Sequence, residues 1–123
     1  METNVGDAVL LLEDQPLIAI DVEELLQEAG FSNVSTYSSC AAAKEWLQTN
    51  KPTLAVIETT LRDGPCDEIA HLLAHQGIRF VVHSAETDKA GRYQGLSARF
   101  SWVEKPCDPT DFLNVVKACC ASR

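Results

Sequence analysis

The chain is short of positive charge, and that shortage excludes several functions at once. Ten Lys and Arg stand against eighteen Asp and Glu in 123 residues, a formal net charge of −8. Phosphate-rich surfaces repel such a molecule, and no Lys/Arg cluster offers a local exception. Direct binding to DNA, RNA or an anionic membrane is therefore not expected. Long apolar runs are also missing. The run "AVLLL" at 8–12 is far shorter than the ~20 residues of a membrane span, and no basic segment precedes it as in a secretory signal. The five cysteines (Cys40, Cys66, Cys107, Cys119 and Cys120) are odd in number and form no CxxC pair, and no Cys/His set has zinc-ligand spacing. They read as small apolar residues of a reducing compartment. The expectation is one cytoplasmic domain spanning 1–123.

What is present is an ordinary globular composition, 46% hydrophobic and 23% charged, on a chain long enough for one core. Apolar runs at 8–12 and 53–58 suit strands covered on both faces. "NVSTY" (33–37), "IRFVVH" (78–83) and "RFSWV" (99–103) complete a set of five. Between them, Pro16 opens a first helix, with Asp14 or Gln15 as cap. Its Ile18, Val22, Leu25, Leu26 and Ala29 recur at helical spacing before Gly30. Residues 39–50 read as a second helix, ended before Lys51-Pro52. A third runs from Pro65 to about Gln76, with Ile69, Leu72 and Leu73 inward and Gly77 as its stop. The polar stretch 85–98, with Gly91 and Gly95, predicts a short mobile helix. A last helix starts at Asp108-Pro109 and carries Phe112, Val115, Val116 and Cys119 at i, i+3, i+4 and i+7.

Five strands alternating with five helices predict an α/β, flavodoxin-like (βα)5 fold. Its sheet is a doubly wound, parallel, five-stranded one of order 2-1-3-4-5. Such a fold binds its ligand outside the carboxyl ends of the strands, near the switch between strands 1 and 3. Strand 1 ends in Glu13-Asp14, strand 3 in Glu58, strand 4 in Ser84, and strand 5 runs into Lys105-Pro106. Three carboxylates suit a hard divalent cation such as Mg²⁺, which takes oxygen ligands. A hydroxyl and an ammonium are groups that hold a phosphoryl oxygen beside it. Each piece has a plainer use as well: Glu13 and Asp14 would charge-complement the next helix, and Ser84 would cap one. Their conjunction at four strand ends is what argues for a site.

"VLLLEDQPLIAIDVEELLQEAGF", "LAVIETTLRDG", "VVHSA" and "FSWVEKPCDP" together resemble the receiver domain of two-component response regulators, over essentially the whole chain. The resemblance implies a phosphorelay signalling module. In that family an Asp at the end of strand 3 accepts a phosphoryl group from a sensor histidine kinase, with Mg²⁺ as cofactor. It further implies Asp14 as a direct metal ligand, Glu13 as a ligand through water, and the Thr60 carbonyl as another. Ser84 and Trp102 would be the switch residues, Lys105 would pair with the phosphoryl group, and the Lys105–Pro106 bond would be cis. The implied partners are a histidine kinase or a downstream signalling protein, met through the face of the fourth helix, fifth strand and fifth helix. A homodimer is compatible with it.

Glu58 departs from that pattern, because it stands where the family has its acceptor aspartate. Glutamate keeps the carboxylate but reaches roughly 1.5 Å further, which displaces it from the in-line geometry phosphoryl transfer needs. Two readings follow: Glu58 mimics a phosphoryl group toward Ser84 and Lys105, or the domain is a non-switching interaction module with vestigial acids. On either, Mg²⁺ binding is weakened and no enzymatic activity is expected. The rival reading is a Mg²⁺-dependent phosphotransfer or phosphatase-type enzyme. A haloacid-dehalogenase-like phosphatase would want D-x-D after strand 1, and a flavodoxin would want a Ser/Thr/Gly-rich loop; "LLEDQP" supplies neither. Of the remaining residues, His71 and His75 share a solvated helix face, His83 packs near the site, and Asp63 suits a turn that opens a helix.

Overall fold

The computed structural model describes residues 8–86, Tyr93, Leu96 and 100–121. In chain order its elements are β1 (Ala8–Leu12), α1 (Pro16–Glu28), β2 (Asn33–Tyr37), α2 (Cys40–Leu47), β3 (Leu54–Ile57), β4 (Thr60–Leu61), β5 (Gly64–Pro65), α3 (Asp67–His75), β6 (Arg79–Ser84), β7 (Phe100–Glu104) and α4 (Pro109–Ala121). Five strands pair in parallel in the order β2-β1-β3-β6-β7. That is the doubly wound, flavodoxin-like arrangement expected, with its topological switch between β1 and β3.

Two cores follow from the period-two alternation of the strands. Leu10, Leu12, Ala55, Ile57, Phe80 and Val82 face α2 and α3, where Ala43, Leu47, Ile69 and Leu73 cover them. Val9, Leu11, Leu54, Val56, Val81 and Val103 face the other way, against Val22, Leu26, Phe112 and Val116 of α1 and α4. Because both faces are covered, β3 is buried along its whole length. Among the described residues no helix is long and apolar enough to cross a membrane.

Helix starts follow local chemistry in part. Pro16 occupies the first turn of α1, and Gln15 is its cap without a side-chain hydrogen bond. Ser39 caps α2 by accepting from the Ala42 N–H at 3.2 Å. The Asp63-Gly64-Pro65 turn signal resolves into something the sequence reading did not foresee. It closes the small antiparallel hairpin β4–β5, where Gly64 takes φ +129°, a conformation that L side chains rarely adopt. The third helix is displaced accordingly and begins at Asp67, not Pro65. The helix expected over 85–98 falls largely outside the described residues.

Candidate functional site

The carboxyl ends of the strands are brought level by backbone hydrogen bonds that run one residue past the sheet. Glu13 donates its N–H to Tyr37 O, and Glu58 donates to Leu12 O, each at 3.1 Å. Lys105 donates to Ser84 O at 2.8 Å, and its bond to Pro106 is cis. Residues 13, 58, 84 and 105 therefore leave adjacent strands at one edge, on the side of the topological switch.

Their side chains meet there. Lys105 Nζ lies 2.6 Å from Glu13 Oε1 and 2.7 Å from Glu58 Oε1, with the three side chains only 11%, 2% and 12% exposed. The second Glu58 oxygen accepts the Thr59 N–H at 2.7 Å. The Thr59 hydroxyl lies 3.1 Å from that oxygen, 3.0 Å from Ser84 Oγ, and against the Glu86 carboxylate. Ser84 Oγ also accepts the Glu86 N–H at 3.1 Å. The second oxygen of Glu13 accepts from Gln15 N at 3.1 Å, which ties the cluster to the start of α1. Each buried charge is thus matched by an opposite charge or a donor, as burial in a low dielectric demands.

The titration behaviour follows from these contacts. Burial works to raise the Glu58 carboxyl, but Lys105, Ser84 and the Thr59 N–H outweigh it and hold the group below the usual carboxylate range. Burial works to lower the Lys105 ammonium, and the Glu13 and Glu58 carboxylates hold it above its usual value. His83, buried with its ring 5.1 Å from Phe112, is pushed down to about 4 by burial and by the positive charge of Lys105. It is a neutral imidazole at physiological pH and stands beside the cluster as a filler of space.

The other residues singled out in the sequence are placed as follows. Asp14 is half-buried and joins none of the hydrogen bonds of the cluster among the described residues. Thr60 is exposed on β4, and its neighbour Thr59, completely buried, brings its hydroxyl to the cluster. Trp102 is half-buried, with its ring 5.8 Å from Tyr93 and its indole N–H donated to Glu86 O at 2.9 Å. His71 and His75 are exposed on α3. Asp63 does open a helix, but that helix is α2: its carboxylate accepts from Cys40 N at 2.7 Å and Ala41 N at 3.0 Å.

The residues present do not fit Mg²⁺ as they are arranged. The expected set was Glu13, Asp14, Glu58 and the Thr60 carbonyl. Instead Glu13 and Glu58 each give an oxygen to Lys105. Among the described residues no group of three or more His, Cys, Asp or Glu is arranged to hold a metal ion. Sequence reasoning also missed Thr59 and Glu86. Their only signal was a polar side chain next to a strand end, which many surface residues share.

Neither a family model nor a curated protein sequence matches the chain. Solved structures do. A sensor protein from Polaromonas sp. JS666 is 22% identical with a TM-score of 0.80, over 94% of this chain and 96% of that one. The non-phosphorylated HemR receiver domain from Leptospira biflexa is 20% identical with a TM-score of 0.84, over 96% and 97%. The response regulator protein TrrA from Thermotoga maritima, solved in complex with Mg²⁺-BeF, is 16% identical with a TM-score of 0.79, over 92% and 98%. The structural neighbours are thus receiver domains of two-component systems, and at these identities the likeness establishes the fold.

Proposed function

We propose that this chain, across 1–123, is a single receiver domain that signals by protein–protein contact and is not switched by ordinary aspartyl phosphorylation. The observation that carries the reading is the Lys105 ammonium seated between Glu13 and Glu58, at 2.6 and 2.7 Å. Lys105 and Ser84 are the groups that would meet a phosphoryl oxygen; Glu58 engages Lys105 directly and is linked to Ser84 through the Thr59 hydroxyl. The mimicry is partial, because a carboxylate has one charge and two oxygens against about −1.5 to −2 and three for a phosphoryl group. On this reading the domain is no enzyme. Its partner is a histidine kinase or a downstream signalling protein, met on the face that includes β7, Trp102 and α4. No step here depends on Mg²⁺.

The full chain incubated with acetyl phosphate and Mg²⁺ tests this by intact mass and peptide mapping. The expected spectrum shows no phosphate on Glu58; a phosphate mapped to that residue would overturn the proposal. Pull-downs with wild type and Glu58→Ala then separate two forms of it. Binding that depends on residue 58 supports mimicry, and equal binding supports a module that does not switch.

A further inference from the structure

A second pair of reactive groups lies against the β4–β5 hairpin. Cys40, the first residue of α2, and Cys66, the cap of α3, are both buried, and their sulfurs are 3.3 Å apart. No spacing rule points to them, since 25 residues intervene in the chain. The hairpin folds them together: Cys40 Sγ lies 3.5 Å from Pro65 O and 3.6 Å from Gly64 O. Asp63 holds the end of α2 in place through the N–H groups of Cys40 and Ala41. Both cysteines are thus fixed on well-anchored backbone and turned toward one another.

We propose that Cys40 and Cys66 are a redox pair that closes to an intramolecular disulfide when the chain meets a small-molecule disulfide oxidant. Closure brings the sulfurs from 3.3 Å to roughly 2.05 Å. The order of attack follows exposure. Cys40 lines a surface pocket of about 680 Å³ together with Lys44, Asp63, Pro65 and Glu68, whereas Cys66 is fully buried behind it. The Cys40 thiolate attacks one sulfur of the small disulfide, forming a mixed disulfide and releasing one thiolate. Cys66 then gives up its proton and attacks the Cys40 sulfur, which releases the second thiolate. Two protein thiols lose two protons and two electrons, and the oxidant takes them up as two small thiols.

Burial raises both thiols above their ordinary range, so the thiolate is scarce and the reaction slow. Cys66 also donates its N–H to Thr59 O at 2.8 Å, which puts the pair one hydrogen bond from the carboxylate cluster.

The test uses the full folded chain, equilibrated with excess oxidised glutathione in mildly alkaline buffer, then alkylated under denaturing conditions and digested with trypsin. Cys40 and Cys66 fall alone in the tryptic peptides 1–44 and 63–79. The expected map shows these two linked, two hydrogens lighter than their sum, and separated again by dithiothreitol. The oxidised protein should melt at a higher temperature than the reduced one. In Cys66→Ser, Cys40 should stop at the glutathione mixed disulfide. Free Cys40 and Cys66 after prolonged exposure would overturn the proposal, and so would a disulfide joining either one to Cys107, Cys119 or Cys120. If the serine variant does not fold, the wild-type map decides alone.

Discussion

Lys105 Nζ rests 2.7 Å from Glu58 Oε1, although 47 residues separate the two in the chain. The same ammonium reaches Glu13, so a single positive charge holds two buried carboxylates at one edge of the sheet. Without it they would repel each other in a poorly solvated site. The bridge also takes up an oxygen of each acid that a cation would otherwise use. Structure and electrostatics at this edge are therefore governed by one side chain.

Lys105→Met should be strongly destabilising, because it leaves Glu13 and Glu58 buried and uncompensated. A loss of about 3 kcal/mol is expected in urea unfolding at neutral pH. The deficit should shrink in acid, where the carboxylates can take up protons. A variant within ~0.5 kcal/mol of wild type across that range would show that the bridge contributes little.

Stability should fall as pH drops from about 6.5 toward 4, and His83 is the reason. Its folded value is about 4 against 6.5 in an ordinary environment, so in this window the unfolded chain binds the extra proton. The contribution is complete above 6.5 and is lost on acidification. A difference of 2.5 units between those two values corresponds to on the order of 3 kcal/mol at about 1.4 kcal/mol per unit. Glu58, whose folded value is lowered, adds a further loss as pH falls below 4.5. Urea midpoints across pH should give a shallower slope for His83→Gln between 4 and 6.5; the same slope as wild type would rule His83 out.

Glu58→Asp should convert the site toward phosphate acceptance. The shorter side chain withdraws the carboxylate by roughly 1.5 Å and loosens its contact with Lys105. After acetyl phosphate and Mg²⁺, this variant should carry a hydroxylamine-labile phosphate on residue 58 that wild type lacks. Equal inertness of both proteins would count against Glu58 as the feature that blocks the reaction.

Asp63→Ala should loosen the start of α2. The Cys40 and Ala41 N–H groups lose their acceptor, and the carboxylate that those donors hold below its usual range is gone. Hydrogen exchange at these two amides should accelerate while β1 and β3 keep wild-type protection. Unchanged exchange at residues 40 and 41 would assign the capping to Ser39 alone.

How far the sequence could be read depended on the range of the interaction. Strand and helix positions came from patterns within a dozen residues, so the alternation, the five sheet strands and Pro16 at the head of α1 were all legible. The order β2-β1-β3-β6-β7 followed, because right-handed crossovers leave few alternatives. The β4–β5 hairpin was not, since Asp63-Gly64-Pro65 marks a turn without saying which short flanks will pair. Asp63 showed the same limit: its chemistry marked it as a helix cap, but the helix it caps begins 23 residues earlier.

By itself the sequence determined that a parallel sheet would bring Glu13, Glu58, Ser84 and Lys105 to its carboxyl edge, because hydrophobic periodicity is a local property that survives folding and right-handed crossovers leave few strand orders. Only the tertiary structure decided what those groups do there. Lys105 lies between the two glutamates, Thr59 is inside and Thr60 outside, and Cys40 meets Cys66. The physical reason is that side-chain pairing depends on ångström-scale reach across strands that are distant in the chain.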